Sequence, residues 1–158
     1  MAFALSDMKL RSPAFDFHGR IPQKHSGEGA DVSPPLTWSG APAGTRSFAI
    51  VCHDPDAPLV KNGRYGFVHW ILYGLPASAD RLEENTDLGV AGMTDFSRVG
   101  YGGPMPPEGH GTHHYYFWIL ALDTERHLEP GLDLASFLNQ VEPHLLGMSR
   151  LVGTYKRE

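Results

Sequence analysis

Apolar residues in this chain come in short runs set between turn residues. "SFAIVCH" (47–53) and "FVHWILYG" (67–74) are rich in β-branched and aromatic side chains and bounded by turn formers, which predicts strands. "HYYFWILALD" (114–123) is almost continuously apolar, as a strand covered on both faces would be. "FALSD" near the start and "RLVGTY" (150–155) predict a short first strand and a last one. Helical spacing is confined to one stretch, "LASFLNQVEPHLLG", where Leu134, Phe137, Leu138, Val141 and Leu145 form one stripe behind Asp133 as N-cap. Pro143 interrupts that stripe, so a kink or a fresh helical start is expected there. Residues 20–85 show only two strands and 76–113 at most one, and loops that long in a compact domain usually carry function. The pattern predicts a mainly β sandwich with a C-terminal helix.

Composition narrows the classes. A length of 158 residues predicts one domain, 1–158, with enough chain to bury a core. The 41% hydrophobic and 20% charged content is that of a soluble globular protein. With 18 glycines and 13 prolines the chain stays below the level of low complexity, so these residues read as punctuation between strands. No apolar run approaches the roughly 18–20 residues of a membrane helix, and the N-terminus "MAFALSDMKLRS" lacks the pattern of a secretion signal. An integral membrane segment is therefore not expected, and the expected location is the cytoplasm. A net charge of −5 without a basic run argues against nucleic acid as a partner. Cys52 is the sole cysteine, which excludes an internal disulfide or a CxxC knuckle; at the end of an apolar run it predicts an inert buried thiol.

Candidate chemistry gathers in three places. In "CHDPDAP" (52–58) two acids sit between two prolines; Asp capping its own backbone and Pro presetting φ explain a turn without any ligand. In "GYGGPMPPEGHGTHHYYF" (100–117) glycines allow close backbone approach, Pro106 and Pro107 stiffen the loop, and three histidines lead into the strongest strand. There His113 and Tyr115, two apart, share a strand face. His69 lies within an apolar strand between Val68 and Trp70 and needs a polar partner. Singly, these read as a turn, a surface cluster and a satisfied core histidine. Their common placement at the end or on the face of a strand favours a site. A metal is not expected: His110, His113 and His114 do not follow a standard zinc spacing, and the last two point to opposite faces of a strand. Neither a GxSxG elbow nor a reactive-cysteine context is present, so no activated nucleophile marks an enzyme.

"DPDAP", then "HW" fifteen positions after Asp54, then "GYGGPMPPEGHGTHHYYFWILALD" resemble the phosphatidylethanolamine-binding protein family, also called the Raf kinase inhibitor protein family, most closely its compact bacterial and archaeal branch. "DVSPPLTWSGAPAGTRSFAIV" and "LVGTY" extend the similarity over about residues 20–156. The resemblance implies a large central sheet packed on a smaller one, helix near the C-terminus, and a small anion-binding cavity at one end of the sheet. It carries ligand-binding roles to Asp54, His69, His113 and Tyr115, and rim positions to Gly103, Pro106, Pro107 and Gly111. Pro58 and Phe67 match lining positions. The implied ligand is a small anion or phosphorylated head group, such as phosphate or phosphorylethanolamine, bound without catalysis and without a cofactor. The alternative is a hydrolase using His and Asp on a phosphoester or acyl substrate. Some members modulate kinases or proteases, but no residue here names such a protein partner; small members often form dimers, so a homodimer is expected.

Three departures matter. The family's usual "HRY" is His113-His114-Tyr115 here, which removes an arginine whose expected partner is Asp56 and puts the bracing of the loop in doubt. "SGEG" (26–29) stands where many small members have a "TCDG"-like turn, and Phe67 replaces a tryptophan. A carboxylate in an anion cavity also needs a reason. At about 4 Å and an effective dielectric near 20, repulsion would cost on the order of 4 kcal/mol. Asp54 can offset this by orienting His69 or His113 as donors, or by accepting a proton from the ligand.

Overall fold

The computed structural model describes residues 3–57 and 66–158. Among these residues there are eight strands: β1 (Lys9–Arg11), β2 (Leu36–Ser39), β3 (Ser47–Asp54), β4 (Phe67–Pro76), β5 (Arg81–Leu82), β6 (Val90–Ala91), β7 (His113–Leu122) and β8 (Leu145–Tyr155). One helix, α1 (Leu134–Val141), precedes β8. The larger sheet has the order β6-β4-β3-β7-β8 and the smaller the order β1-β2-β5, with antiparallel pairing throughout.

Strand alternation builds the layers. The odd residues of β7 face the small sheet: Tyr115, Phe117, Ile119 and Ala121 pack with Phe48 and Ile50 of β3 and with Leu10, Leu36, Trp38 and Leu82. The even residues Leu120 and Leu122 share the other face with Ala49 and Val51, where Phe137 and Val141 of α1 cover them. β7 is thus buried on both sides along its second half, which is why it reads as one apolar run. Asp133 caps α1 by accepting from Ser136 N–H at 2.8 Å, and Phe137 stacks on Tyr73 with ring centroids 5.2 Å apart.

Several expectations change in detail. "FALSD" forms no strand; Leu5 makes a single bridge to Met148, and the first strand is three residues long at Lys9–Arg11. The region 20–85 holds two further short strands, β2 and β5, because the pieces of the small sheet are too brief to carry a strong period. Around Pro143 the chain does make a fresh start, a 3₁₀ turn over Glu142–His144. Leu145 then begins β8 instead of extending the helical stripe, so the last strand is eleven residues long. No helix among the described residues is long and apolar enough to cross a membrane.

Candidate functional site

At one end of the large sheet, β3, β4 and β7 place Asp54, His69, His113 and Tyr115 around one cavity of about 290 Å³. Each is the end or near-end residue of its strand and each is buried, with 1–4% of its surface exposed. Phe67 and Phe96 form an aromatic wall, their rings 4.8 Å apart at 70°, and each lies about edge-on or tilted to the His69 ring at 5.1–5.2 Å. Met105, Pro106 and Pro107 also line it.

Asp54 is fully engaged from within the protein. Its Oδ1 accepts the Asp56 peptide N–H at 2.7 Å, the backbone cap expected of an Asp-Pro turn. Its Oδ2 lies 2.6 Å from His113 Nδ1. Of the two histidines that Asp54 was expected to orient, it holds His113; His69 Nδ1 instead lies 2.7 Å from the carbonyl oxygen of Gly102. A carbonyl only accepts, so the His69 proton sits on Nδ1 and Nε2 is left as an acceptor. Burial lowers the pKa of His69 and outweighs the opposing hydrogen bond and the charge of Asp54, so this ring is neutral near pH 7.

The chain continues outward. His113 Nε2 lies 2.7 Å from His110 Nδ1, so one proton per ring makes a run of donors, His110 to His113 to Asp54. Tyr115 completes the polar set: its hydroxyl is buried and has no partner among the described residues. Burial, with the charge of Asp54 adding to it, raises the phenol pKa well above the usual value, so the group is a hydrogen-bond donor and not an anion.

Gly103 and Gly111, expected at the rim, do not line the cavity but shape the loop that does. Gly111 adopts φ +91° at the entry to β7. Gly103 is buried; its N–H donates to Asp31 Oδ1 at 2.7 Å, and a Cβ there would sit 2.0 Å from the His25 carbonyl oxygen. Gly103→Ala is therefore expected to cost about 1–3 kcal/mol by overpacking. A variant with an unchanged denaturant midpoint would contradict this.

Asp56 also stays outside the cavity, yet its expected role survives the loss of the family arginine. Its Oδ2 accepts from the His114 peptide N–H at 2.8 Å and lies 2.7 Å from His114 Nδ1. Burial would raise the Asp56 carboxyl, but these bonds from His114 outweigh it and the pKa falls. "SGEG" is tied without a cysteine: the Tyr155 hydroxyl donates to Glu28 Oε1 at 2.7 Å and lies 3.0 Å from Ser26 Oγ. Pro58, matched to a lining position, lies outside the described residues. Sequence reasoning missed Phe96, Ala57 and Met105 as lining residues, and it missed His110 as the partner of His113. Phe96 stands alone in a polar loop, and nothing local signals that the loop folds back onto β4.

Cys52 is buried, and burial together with Asp54 pushes its thiol pKa up, as an inert thiol requires. Among the described residues no group of three or more His, Cys, Asp or Glu side chains is disposed to hold a metal ion.

Known proteins resemble this chain in sequence and fold. A 157-residue alignment at 40% identity, covering 95% of this chain and 99% of the relative, links it to a UPF0098 protein of Methanothermobacter thermautotrophicus. A UPF0098 protein of Aquifex aeolicus is 36% identical over 96% of this chain and 90% of its own length. Among solved structures, the phosphatidylethanolamine-binding protein homolog CT736 of Chlamydia trachomatis superposes with a TM-score of 0.89 at 33% identity, covering 96% of this chain and 98% of that one. E. coli YbcL, described as a member of the mammalian PEBP family, gives 0.86 at 29% identity over 97% and 100% of the two chains. The family model for phosphatidylethanolamine-binding protein matches residues 11–156, and with the two-sheet fold and the strand-end cavity already in place, this chain belongs to that family.

Proposed function

We propose that this protein is a non-catalytic receptor for a small oxyanion that carries its own proton, namely inorganic phosphate or a phosphomonoester head group such as phosphorylethanolamine. The observation that carries this reading is the pairing of a neutral acceptor, His69 Nε2, with a donor that has no partner among the described residues, the Tyr115 hydroxyl, beside an Asp54 carboxylate whose two oxygens already accept from His113 and Asp56. Among the described residues no lysine or arginine lines the cavity. To those residues a fully deprotonated anion offers acceptors where only one donor waits; a protonated phosphate supplies the missing proton and gains a charge-assisted bond.

The expected signature is affinity for phosphate that falls as pH rises between roughly 5.5 and 8, where phosphate goes from two protons to one. Sulfate, which has no proton to offer in that range, isolates the contribution of the ligand's proton. Calorimetric titration is expected to show phosphate binding about tenfold or more tighter than sulfate near pH 6, the worth of one bond involving a charged group. Equal affinities, or flat binding of phosphate across the range, would sink the proposal.

The hydrolase alternative would use His113 as a base. It lacks an activated partner: Cys52 is buried with its thiol pKa raised, and the Tyr115 hydroxyl stays protonated. Release of phosphate from a generic monoester, lost on substitution of His113, would favour that reading over a receptor.

A further inference from the structure

The rim loop of the Asp54 cavity is pinned at two places and loose between them. Arg157 holds its first part: one guanidinium nitrogen donates to the Pro106 carbonyl at 3.3 Å, the other to Glu108 Oε1 at 3.1 Å. Its last part ends in His113, already a residue of β7. Between these anchors stands Gly109-His110-Gly111, with φ of +70° and +91° at the two glycines. A Cβ at either glycine would meet nothing described within 4 Å. Such backbone turns easily, because no described group packs on it and glycine adopts positive φ without strain.

Two hydrogen bonds hold this turn in place. The His110 peptide N–H donates to the Pro107 carbonyl at 3.1 Å. The His110 ring, itself exposed, leans on buried His113, with Nδ1 and Nε2 2.7 Å apart. The partners fix the protons. The Asp54 carboxylate only accepts, so His113 carries its proton on Nδ1 and presents a lone pair at Nε2. His110 Nδ1 must then be the donor of the ring-to-ring bond. Among the described residues the His110 ring has no other hydrogen bond. One donor and one acceptor are thus spent on each other beside a cavity whose free donor is the Tyr115 hydroxyl.

We propose that His110 is a ligand-binding and specificity-determining residue on a hinged turn, and that a protonated phosphate binds by inserting into the His110–His113 hydrogen bond. The inference rests on the reading of this cavity as a phosphate receptor and supplies the second donor that reading lacks. The phosphate P–O–H donates to His113 Nε2, while another oxygen of the same group accepts from His110 Nδ1–H. Both rings keep their protons, and none is transferred. The Tyr115 hydroxyl donates to a third oxygen; its ring lies 26° from that of His113, with centroids 6.5 Å apart. One neutral bond between rings gives way to bonds with a charged ligand, which are the stronger kind. Admitting the bridge parts the rings by on the order of 3 Å, a movement that two glycines beside His110 absorb. Sulfate cannot insert in this way: it accepts from His110 but sets an oxygen lone pair against that of His113 Nε2.

The probe is inorganic phosphate near neutral pH, titrated into protein with nitrogen-labelled histidine, beside sulfate as the comparison. Phosphate is expected to move the His110 Nδ1 and His113 Nε2 resonances together and saturably, and sulfate to leave them in place. His110→Ala, at an exposed position, should keep its circular dichroism and bind phosphate about tenfold or more weakly, with sulfate binding unchanged. His110→Asn, whose amide N–H stands near the place of Nδ1, should regain part of the loss. Equal phosphate affinity in His110→Ala, or a His113 resonance that moves while that of His110 does not, would overturn this inference and leave the receptor reading standing. Tighter phosphate binding in His110→Ala would overturn it by making the ring an obstacle, and an equal loss for sulfate would do so by reducing its role to loop order. Absence of phosphate binding in the unaltered protein would overturn both readings.

Discussion

Replacing His113 with alanine is expected to abolish measurable phosphate binding and to remove about 3 kcal/mol of folding stability. Both effects follow from one bond. Asp54 and His113 are buried, with side chains 4% and 2% exposed, and Oδ2 lies 2.6 Å from Nδ1. Truncating His113 leaves a carboxylate in the core with only the Asp56 peptide N–H as donor, and an orphaned buried charge is far costlier than the loss of a surface ion pair. His110 loses the acceptor it leans on, so the loop before β7 loosens as well. The double variant Asp54→Asn/His113→Ala tests the cause. Removing the charge together with its partner should return part of the stability, while binding stays absent. Denaturant unfolding of the three proteins reads this directly. A single variant that loses less than about 1 kcal/mol, the worth of an ordinary hydrogen bond, or a double variant no better than the single, would show that the pair is not what holds this end of the sheet.

The large sheet and the site differ from the small sheet in how plainly the chain announces them. β3, β4 and β7 are eight to ten residues of β-branched and aromatic side chains, and their period and punctuation place them to within a residue or two. β2 has a two-sided alternation of only four residues, with Leu36 and Trp38 buried and Thr37 and Ser39 exposed, and β5 and β6 have two residues each. Such pieces are strands only because a neighbour pairs with them, which local sequence does not state. The site divides along the same line. His113 and Tyr115 are related by strand alternation, and Asp54 by its turn chemistry, so their character is local. That Asp54 chooses His113 over His69 is decided by register: β3 lies between β4 and β7, and the carbonyl of Gly102 takes His69 first. Phe96 reaches the cavity through a loop whose path no period describes. The substitution of His114 for the family arginine illustrates the converse. The partner, Asp56, was legible from its sequence position, but an imidazole at 2.7 Å proving a sufficient brace depends on a backbone N–H at 2.8 Å that the residue type does not supply.

Tyr115→Phe is expected to separate binding from stability. The hydroxyl is buried without a partner among the described residues, an arrangement that works against folding because a desolvated polar group is left unpaired. Removing the oxygen should therefore leave stability unchanged or raise it by up to about 1 kcal/mol, with the ring still packed in the core by Phe117 and its neighbours. Affinity for phosphate should move the other way. A hydrogen bond to a charged ligand is worth about 1.5–3 kcal/mol, so the variant should bind roughly 10- to 150-fold more weakly. The combination is what identifies a residue kept for its ligand: a structural hydroxyl would lose stability on removal, and an idle one would change neither quantity. Unchanged phosphate affinity in a stabilised Tyr115→Phe would remove the donor from the proposed site and leave the cavity with acceptors alone. The same cavity would then suit a cation or a neutral donor better than any oxyanion, since aromatic walls and an acid favour positive charge.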